Sequence, residues 1–453
     1  MNTGVGSRQA RACAATHAHR ASLLHFIGDP FQNNQEQEKT CQYFEDGLLV
    51  VENGKISQVG PAAKLLRRLR EGTRVLAHPK ALIVPGFVDA HVHYPQTQII
   101  ASYGEHLLEW LNKYAFAAEG KFGDIRYARE AARVFLDLLL RHGTTTALVF
   151  ATVHPQSAEA LFEEARRLNL RLITGKVLMD RNAPKNLLDT PETAYRDSKR
   201  LIEKWHKNGR LLYAVTPRFA PACTTQQLKT ARRLKEEFDD IYIHTHLSEN
   251  LEEIAWVKRL FPWSADYFDV YERLGLTGRR SLFAHGLHLS NQQWRRIAKS
   301  RASVAFCPSS NLFLGSGLFD MDTSARFKVP VGIGSDIGAG TSFSLLQNLS
   351  DAYKICQLRG QRLSAFQGFY LATLGGATAL GLEDKIGNFT PGKEADFVVL
   401  DLEPTALIAY RMKQAKSLAE RLFVLMTLGN DRCVRETYVL GKPAYSKTVA
   451  HCG

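Results

Sequence analysis

Between residues 82 and 335, short apolar runs alternate with amphipathic stretches eight times over, and few architectures accept that alternation. The strand-like runs are 82–93, 144–150, 172–179, 211–219, 241–247, 281–285, 303–307 and 329–335. Helical spacing of apolar residues fills the intervals at 127–142, 157–169, 193–208, 225–238 and 291–301, and residues 343–358 and 363–380 read as closing helices. A strand followed by a helix, repeated eight times, predicts an α/β chain with a (β/α)8 TIM barrel over residues 85–387.

The two flanks have a different texture. Residues 44–59 carry Gly-Leu-Leu-Val-Val, the turn pair Asn53-Gly54 and Lys-Ile-Ser-Gln-Val-Gly, a strong hairpin signal. Strand and turn patterns return at Ala-Asp-Phe-Val-Val-Leu after Pro391-Gly392 and at residues 434–445. Residues 23–84 and 388–447 are therefore expected to build one small β-sandwich from both ends. Residues 1–22, with Arg8, Arg11 and Arg20 among small residues and no apolar core, read as a disordered leader and not as a secretion signal.

The polar residues gather where such a barrel places its chemistry, at the C-terminal ends of strands. Strand one ends in His91-Val-His93, strand four in Thr216-Pro-Arg218-Phe219 and strand five in His244-Thr-His246-Leu-Ser-Glu249. Strand six ends in His285-Gly286 and strand eight in Ser335-Asp336. Side chains alternate along a strand, so His91 and His93 leave one face and can share an ion, although the same spacing also occurs in ordinary buried strands. With His246 and Asp336 they make a nitrogen-rich set suited to a single zinc or ferrous ion with one position open for water. Leu211 to Phe219 offers no Lys, Glu or Cys to bridge two ions, which favours one metal per chain.

Around that set, Asp336 can also hold the water's proton, and His285 suits a hydrogen-bonding role toward the water. Glu249 is the candidate proton carrier; the competing reading is a helix-start carboxylate facing free backbone N–H groups. His244 shares the face of His246 but would overfill the ion, so it is read as structural, and Lys176 as a buried or paired lysine.

Composition narrows the class. The charge of +13 comes from 58 Lys and Arg against 45 Asp and Glu spread over helix faces, so nothing resembles a nucleic-acid-binding cluster, and no run could span a bilayer. Seven cysteines without a Cys-x-x-Cys suit reduced thiols in a cytoplasm.

His91-Val-His93 after Pro85-Gly-Phe-Val-Asp, with His246, His285 and Asp336, resembles the amidohydrolase superfamily. More narrowly, Tyr94-Pro-Gln96, Leu107-Leu-Glu-Trp-Leu111, Gly143-Thr-Thr-Thr-Ala147, the run from Gly175 to Asn182, Thr216-Pro-Arg-Phe219, His246-Leu-Ser-Glu-Asn250 and Gly334-Ser-Asp336 resemble the bacterial guanine deaminases. The resemblance implies hydrolytic deamination of guanine to xanthine and ammonia, zinc as the usual metal, and a homodimer. It maps substrate contacts onto Gln96, Arg218 and Phe219, with His246 beside the substrate; physically, Phe219 or Trp110 can flank an aromatic base. Arg218 offers charged donors to a purine carbonyl; the plainer alternative is a structural ion pair. Rival readings are a related hydrolase of another aminated or halogenated azine or nucleobase, a non-catalytic barrel scaffold, and a nucleic-acid binder.

Overall fold

A computed structural model describes residues 16–33, 35–103 and 106–447 of the chain. Eight parallel strands in chain order form the barrel: Phe87–His93, Thr144–Phe150, Arg171–Gly175, Leu212–Pro217, Tyr242–Leu247, Ser281–His285, Ser303–Phe306 and Val331–Ile333. The third is interrupted at Lys176 and resumes as Val177–Leu178 beside the fourth. The ring is drawn together where His93 N–H donates to Ile337 O at 3.1 Å and Asp336 N–H to His91 O at 2.9 Å. The barrel expected from the alternation is therefore present.

The helices form because apolar residues recur on one face. In Ile125–Arg141, Ala128, Ala132, Phe135, Leu136 and Leu139 are buried, and Asp124 caps the start by accepting from Arg126 N–H. Inside the barrel Val88, Ala90, Leu148, Ile173, Ala214, Leu282, Ala284 and Ala305 pack together, closed off by Ala377, Ala379 and Leu380. The first-strand ladder shifts register between Asp89 and Val92, the signature of a bulge. That shift turns Val92 outward into the apolar layer under the helices and leaves His91 and His93 side by side in the functional site.

The chain ends join in one seven-stranded sheet of order Lys442–Ser446, Val434–Val439, Phe397–Asp401, Arg74–Pro85, Thr16–Phe26, Cys41–Glu52, Lys55–Pro61. Its one parallel pairing is between Thr16–Phe26 and Arg74–Pro85. Asn53 and Gly54 both have positive φ, 54° and 76°, as a two-residue hairpin loop requires. The sheet curls on itself: Ile56 N–H donates to Lys393 O and Ala395 N–H to Gly54 O, enclosing Leu23, Leu49, Val51, Ile83, Phe397 and Val399.

Two sequence expectations need correction. The first strand begins at Thr16, so residues 16–22 are not a disordered leader; residues 1–15 lie outside the described residues. The missed segment is rich in Ala and His and lacks the β-branched signature of a strand, yet it pairs with Gly47 to Glu52 on one side and with residues 74–77 on the other. The run 82–93 is two strands, because Gly86 passes the chain from sheet to barrel. A Cβ on Gly86 would lie 2.1 Å from Thr145 Oγ1, so only glycine lets the chain cross there. Among the described residues no helix is long and apolar enough to cross a membrane.

Candidate metal centre and active site

Three imidazole nitrogens converge at the C-terminal mouth of the barrel. His93 Nε2 lies 3.2 Å from His91 Nε2 and 3.3 Å from His246 Nε2. Asp336 Oδ1 lies 3.2 Å from His91 Nε2 and 3.5 Å from His93 Nε2. Tetrahedral ligands about 2.1 Å from an ion stand about 3.4 Å apart, so the spacing fits one small divalent cation.

The tautomers favour the same occupant. His246 Nδ1 donates to Arg218 O at 2.6 Å, which leaves Nε2 bare. His91 Nδ1 meets His244 Nε2 at 2.8 Å, so with His91 donating, its Nε2 is bare as well. Burial holds His91 and His246 down to about 3 and His93 well below the ordinary imidazole range, keeping all three neutral. Neutral imidazoles with lone pairs 3.2–3.3 Å apart repel one another unless a cation lies between them. The residues present therefore fit a metal.

Beside this set, His285 Nε2 is 3.3 Å from Glu249 Oε2 and 3.8 Å from Asp336 Oδ2. Asn311 Nδ2 donates to His285 Nδ1 at 2.9 Å, so the other nitrogen carries its hydrogen toward the two carboxylates. Glu249 is buried and accepts from Ser316 Oγ at 3.2 Å. Burial, reinforced by Asp336 and Glu253, pushes its carboxyl well above the usual range, as a group that takes and returns a proton requires. Its backbone N–H is held by Glu253 Oε2 at 2.9 Å, so Glu253 and not Glu249 supplies the carboxylate at this helix start. Ser248, His285 and Asp336 all hold left-handed φ, at 50°, 73° and 49°, and such strain gathers at positions that aim functional groups.

The opposite wall of the cavity carries Gln96, Leu107, Trp110, Arg218, Phe219 and Leu314. Arg218 Nη1 donates to Glu119 Oε2 at 2.6 Å, and Gln96 Nε2 donates to Glu119 Oε1 at 2.9 Å. Gln96 Oε1 accepts from Gly338 N–H at 3.2 Å. The structure thus gathers His93, His246, His285, Glu249, Asp336, Gln96, Trp110, Arg218 and Phe219 around one cavity, with His91 directly behind His93 and Asp336. Lys176 stands apart, in an ion pair with Asp189.

Sequence reasoning missed Glu119, Asn311 and Ser316, and understated His244. Cys307 Sγ also lies close to His91, His285 and Asp336, with its thiol pushed up by burial. For His244 a signal existed in the His-x-His of strand five; for Glu119, in short helical pieces over 107–123, none did.

A buried His-and-carboxylate cluster at the mouth of a (β/α)8 barrel, with a sheet drawn from both chain ends, has a counterpart among known families. The chain belongs to the amidohydrolase family, whose model matches residues 82–444. It is 54% identical over 415 residues to guanine deaminase of Escherichia coli (strain K12), spanning 92% of this chain and 94% of that protein. The solved E. coli guanine deaminase superposes with a TM-score of 0.93 over 95% of this chain and all of the other. Guanine deaminase from C. acetobutylicum, solved with guanine in its active site, is 30% identical, with a TM-score of 0.85 over 95% of this chain and 100% of that one.

Proposed function

We propose that this chain catalyses the hydrolytic deamination of guanine to xanthine and ammonia. The observation that carries the reading is the meeting, at one cavity, of His93, His246 and Asp336, with His91 directly beside them, and a wall of Arg218, Gln96, Phe219 and Trp110 suited to an aromatic base. Kinship with the guanine deaminases supports the choice of base.

His91, His93, His246 and Asp336 would hold one zinc ion per chain, with ferrous iron as the alternative. When bound there, a divalent ion acts as a Lewis acid that makes a water nucleophilic near neutrality. Arg218 donates to the purine carbonyl and Gln96 meets the ring edge, while Phe219 and Trp110 cover the base and exclude water. Asp336 accepts a hydrogen bond from the attacking water and fixes its direction. Glu249 takes the water's proton as oxygen bonds to the amine-bearing carbon, and delivers it to the adjacent ring nitrogen. His285, hydrogen outward on Nε2, donates to the oxygen at the carbon that has become tetrahedral. The proton left on the new hydroxyl then passes through Glu249 to the exocyclic nitrogen, so that the C–N bond breaks as the carbonyl forms, ammonia leaves and Glu249 is again ionised.

This reading also has a homodimer in a reducing cytoplasm, acting on a small molecule with no nucleic-acid or membrane partner. Cys41, Cys223, Cys307, Cys356 and Cys433 are free thiols, in keeping with that compartment. The test is ammonia release by metal-loaded protein from guanine, adenine, cytosine and an s-triazine. Guanine is expected to dominate; preferential turnover of a carbonyl-free ring would overturn the substrate, and two ions per active chain would overturn the single metal. Size measurement in solution tests the dimer.

A further inference from the structure

Glu119 is 1% exposed, yet its carboxylate does not line the cavity. It stands behind the two residues that do, with one oxygen on each: Oε2 on Arg218 at 2.6 Å and Oε1 on Gln96 at 2.9 Å. The geometry points to Glu119 as a positioning residue that sets the specificity of the base site for a neutral purine and speeds release of the more acidic product. This inference rests on the deaminase reading above and deepens it.

Two consequences follow from the bonding. A carboxylate only accepts and Gly338 N–H only donates, so the Gln96 amide between them has one allowed orientation. One N–H and one lone pair of Gln96 remain for a ligand, each on a fixed side. The second consequence concerns charge. Arg218 by itself would make the base site cationic and retain any anion; its buried partner cancels that charge locally. Guanine is neutral near pH 7, whereas xanthine, with a second ring carbonyl in place of the amine, is the stronger N–H acid and is partly anionic there. A neutralised arginine hydrogen-bonds the substrate without clamping the product.

The decisive variants are Glu119→Gln and Glu119→Asp, compared with the wild type in the metal-loaded full-length protein. E119Q removes the charge, and its amide nitrogen must face either the Arg218 guanidinium or the Gln96 amide nitrogen, so Gln96 is driven to flip. E119D keeps the charge but shortens the reach to Gln96. Guanine KM and kcat are measured together with xanthine inhibition and direct xanthine binding by calorimetry from pH 6 to 9. The expected result for E119Q is guanine KM raised about ten-fold or more and xanthine bound about ten-fold more tightly, the tightening growing as pH rises through the xanthine ionisation. E119D is expected to raise guanine KM while keeping the wild-type weakness for anionic xanthine, and it carries the charge test if E119Q does not fold. Folded, metal-replete E119Q with wild-type KM and a wild-type pH profile of xanthine binding would overturn the inference, as would E119D binding anionic xanthine tightly. Wild-type protein that releases no ammonia from guanine would overturn the deaminase reading itself, and this inference with it.

Discussion

His244 Nε2 rests 2.8 Å from His91 Nδ1, so one buried imidazole fixes the tautomer of another that faces the metal position. Such outer partners typically govern about 10- to 100-fold of metal affinity. His244→Ala is therefore expected to weaken zinc binding by about that factor at unchanged ligand count. His244→Gln, which can still accept from His91, is expected to recover most of it. Chelator competition on the two variants checks this; equal affinities would make His244 mere packing.

His91→Ala and Asp336→Ala each remove a donor from a set whose members stand 3.2–3.5 Å apart. Both are expected to lose metal together with turnover. Metal analysis after dialysis decides, and full occupancy in both variants would mean that other residues hold the ion.

Glu249→Gln preserves size and the bond from Ser316 but cannot carry a proton. Turnover should fall by about 10²–10⁴-fold with metal content and guanine affinity retained. Near-normal single-turnover rates would move the proton transfer to Asp336 and His285.

Arg218→Met should lower kcat/KM for guanine by roughly thirty- to a thousand-fold while leaving the metal in place. It also strands the Glu119 carboxylate, 1% exposed, without its cation, at a cost of about 3–5 kcal/mol in stability. Adding Glu119→Gln should restore the melting temperature but not the activity. Restoration of both would reduce Arg218 to a structural ion pair.

In the terminal sheet, His19 stacks on His78 with Nδ1 3.0 Å from its Nε2 and packs against Phe397 and Tyr438. Burial holds His19 down to about 3, so it is neutral when folded and charges when unfolded near pH 6.5. The unfolded chain then binds more protons, and the stability owed to this residue is complete above about pH 6.5 and lost as pH falls toward 3. His19→Gln should flatten that loss by about 1–3 kcal/mol between pH 7 and pH 4.5, read from urea midpoints. An unchanged slope would assign the acid sensitivity elsewhere.

What could be read from residue order was what local periodicity controls. The His-x-His pairs at 91–93 and 244–246 stand at the ends of apolar runs, and alternation alone puts each pair on one face. Arg218 and Asp336 were visible for the same reason, as polar residues closing a buried strand. Glu119 was not, because it belongs to a succession of short α, π and 3-10 pieces between Leu107 and Gly123 with no sustained period. Its meaning arises only when the chain brings it to Arg218, 99 residues away. Thr16 to Ser22 escaped for a related reason: small and imidazole side chains form that strand because neighbours on both sides accept their backbone bonds.

The passage through Gly86 gives the metal position an anchorage. Four residues separate Gly86 from His91, and the strand on its other side is pinned between Thr16–Phe26 and Phe397–Asp401, one from each end of the chain. Strain introduced in either of those two strands is expected to reach, across a single glycine, the wall that carries two of the four proposed metal donors. Truncation of Thr16–Phe26 or of Phe397–Asp401 is thus expected to loosen the proposed hold of His91 and His93 on a metal, which metal analysis after dialysis would read.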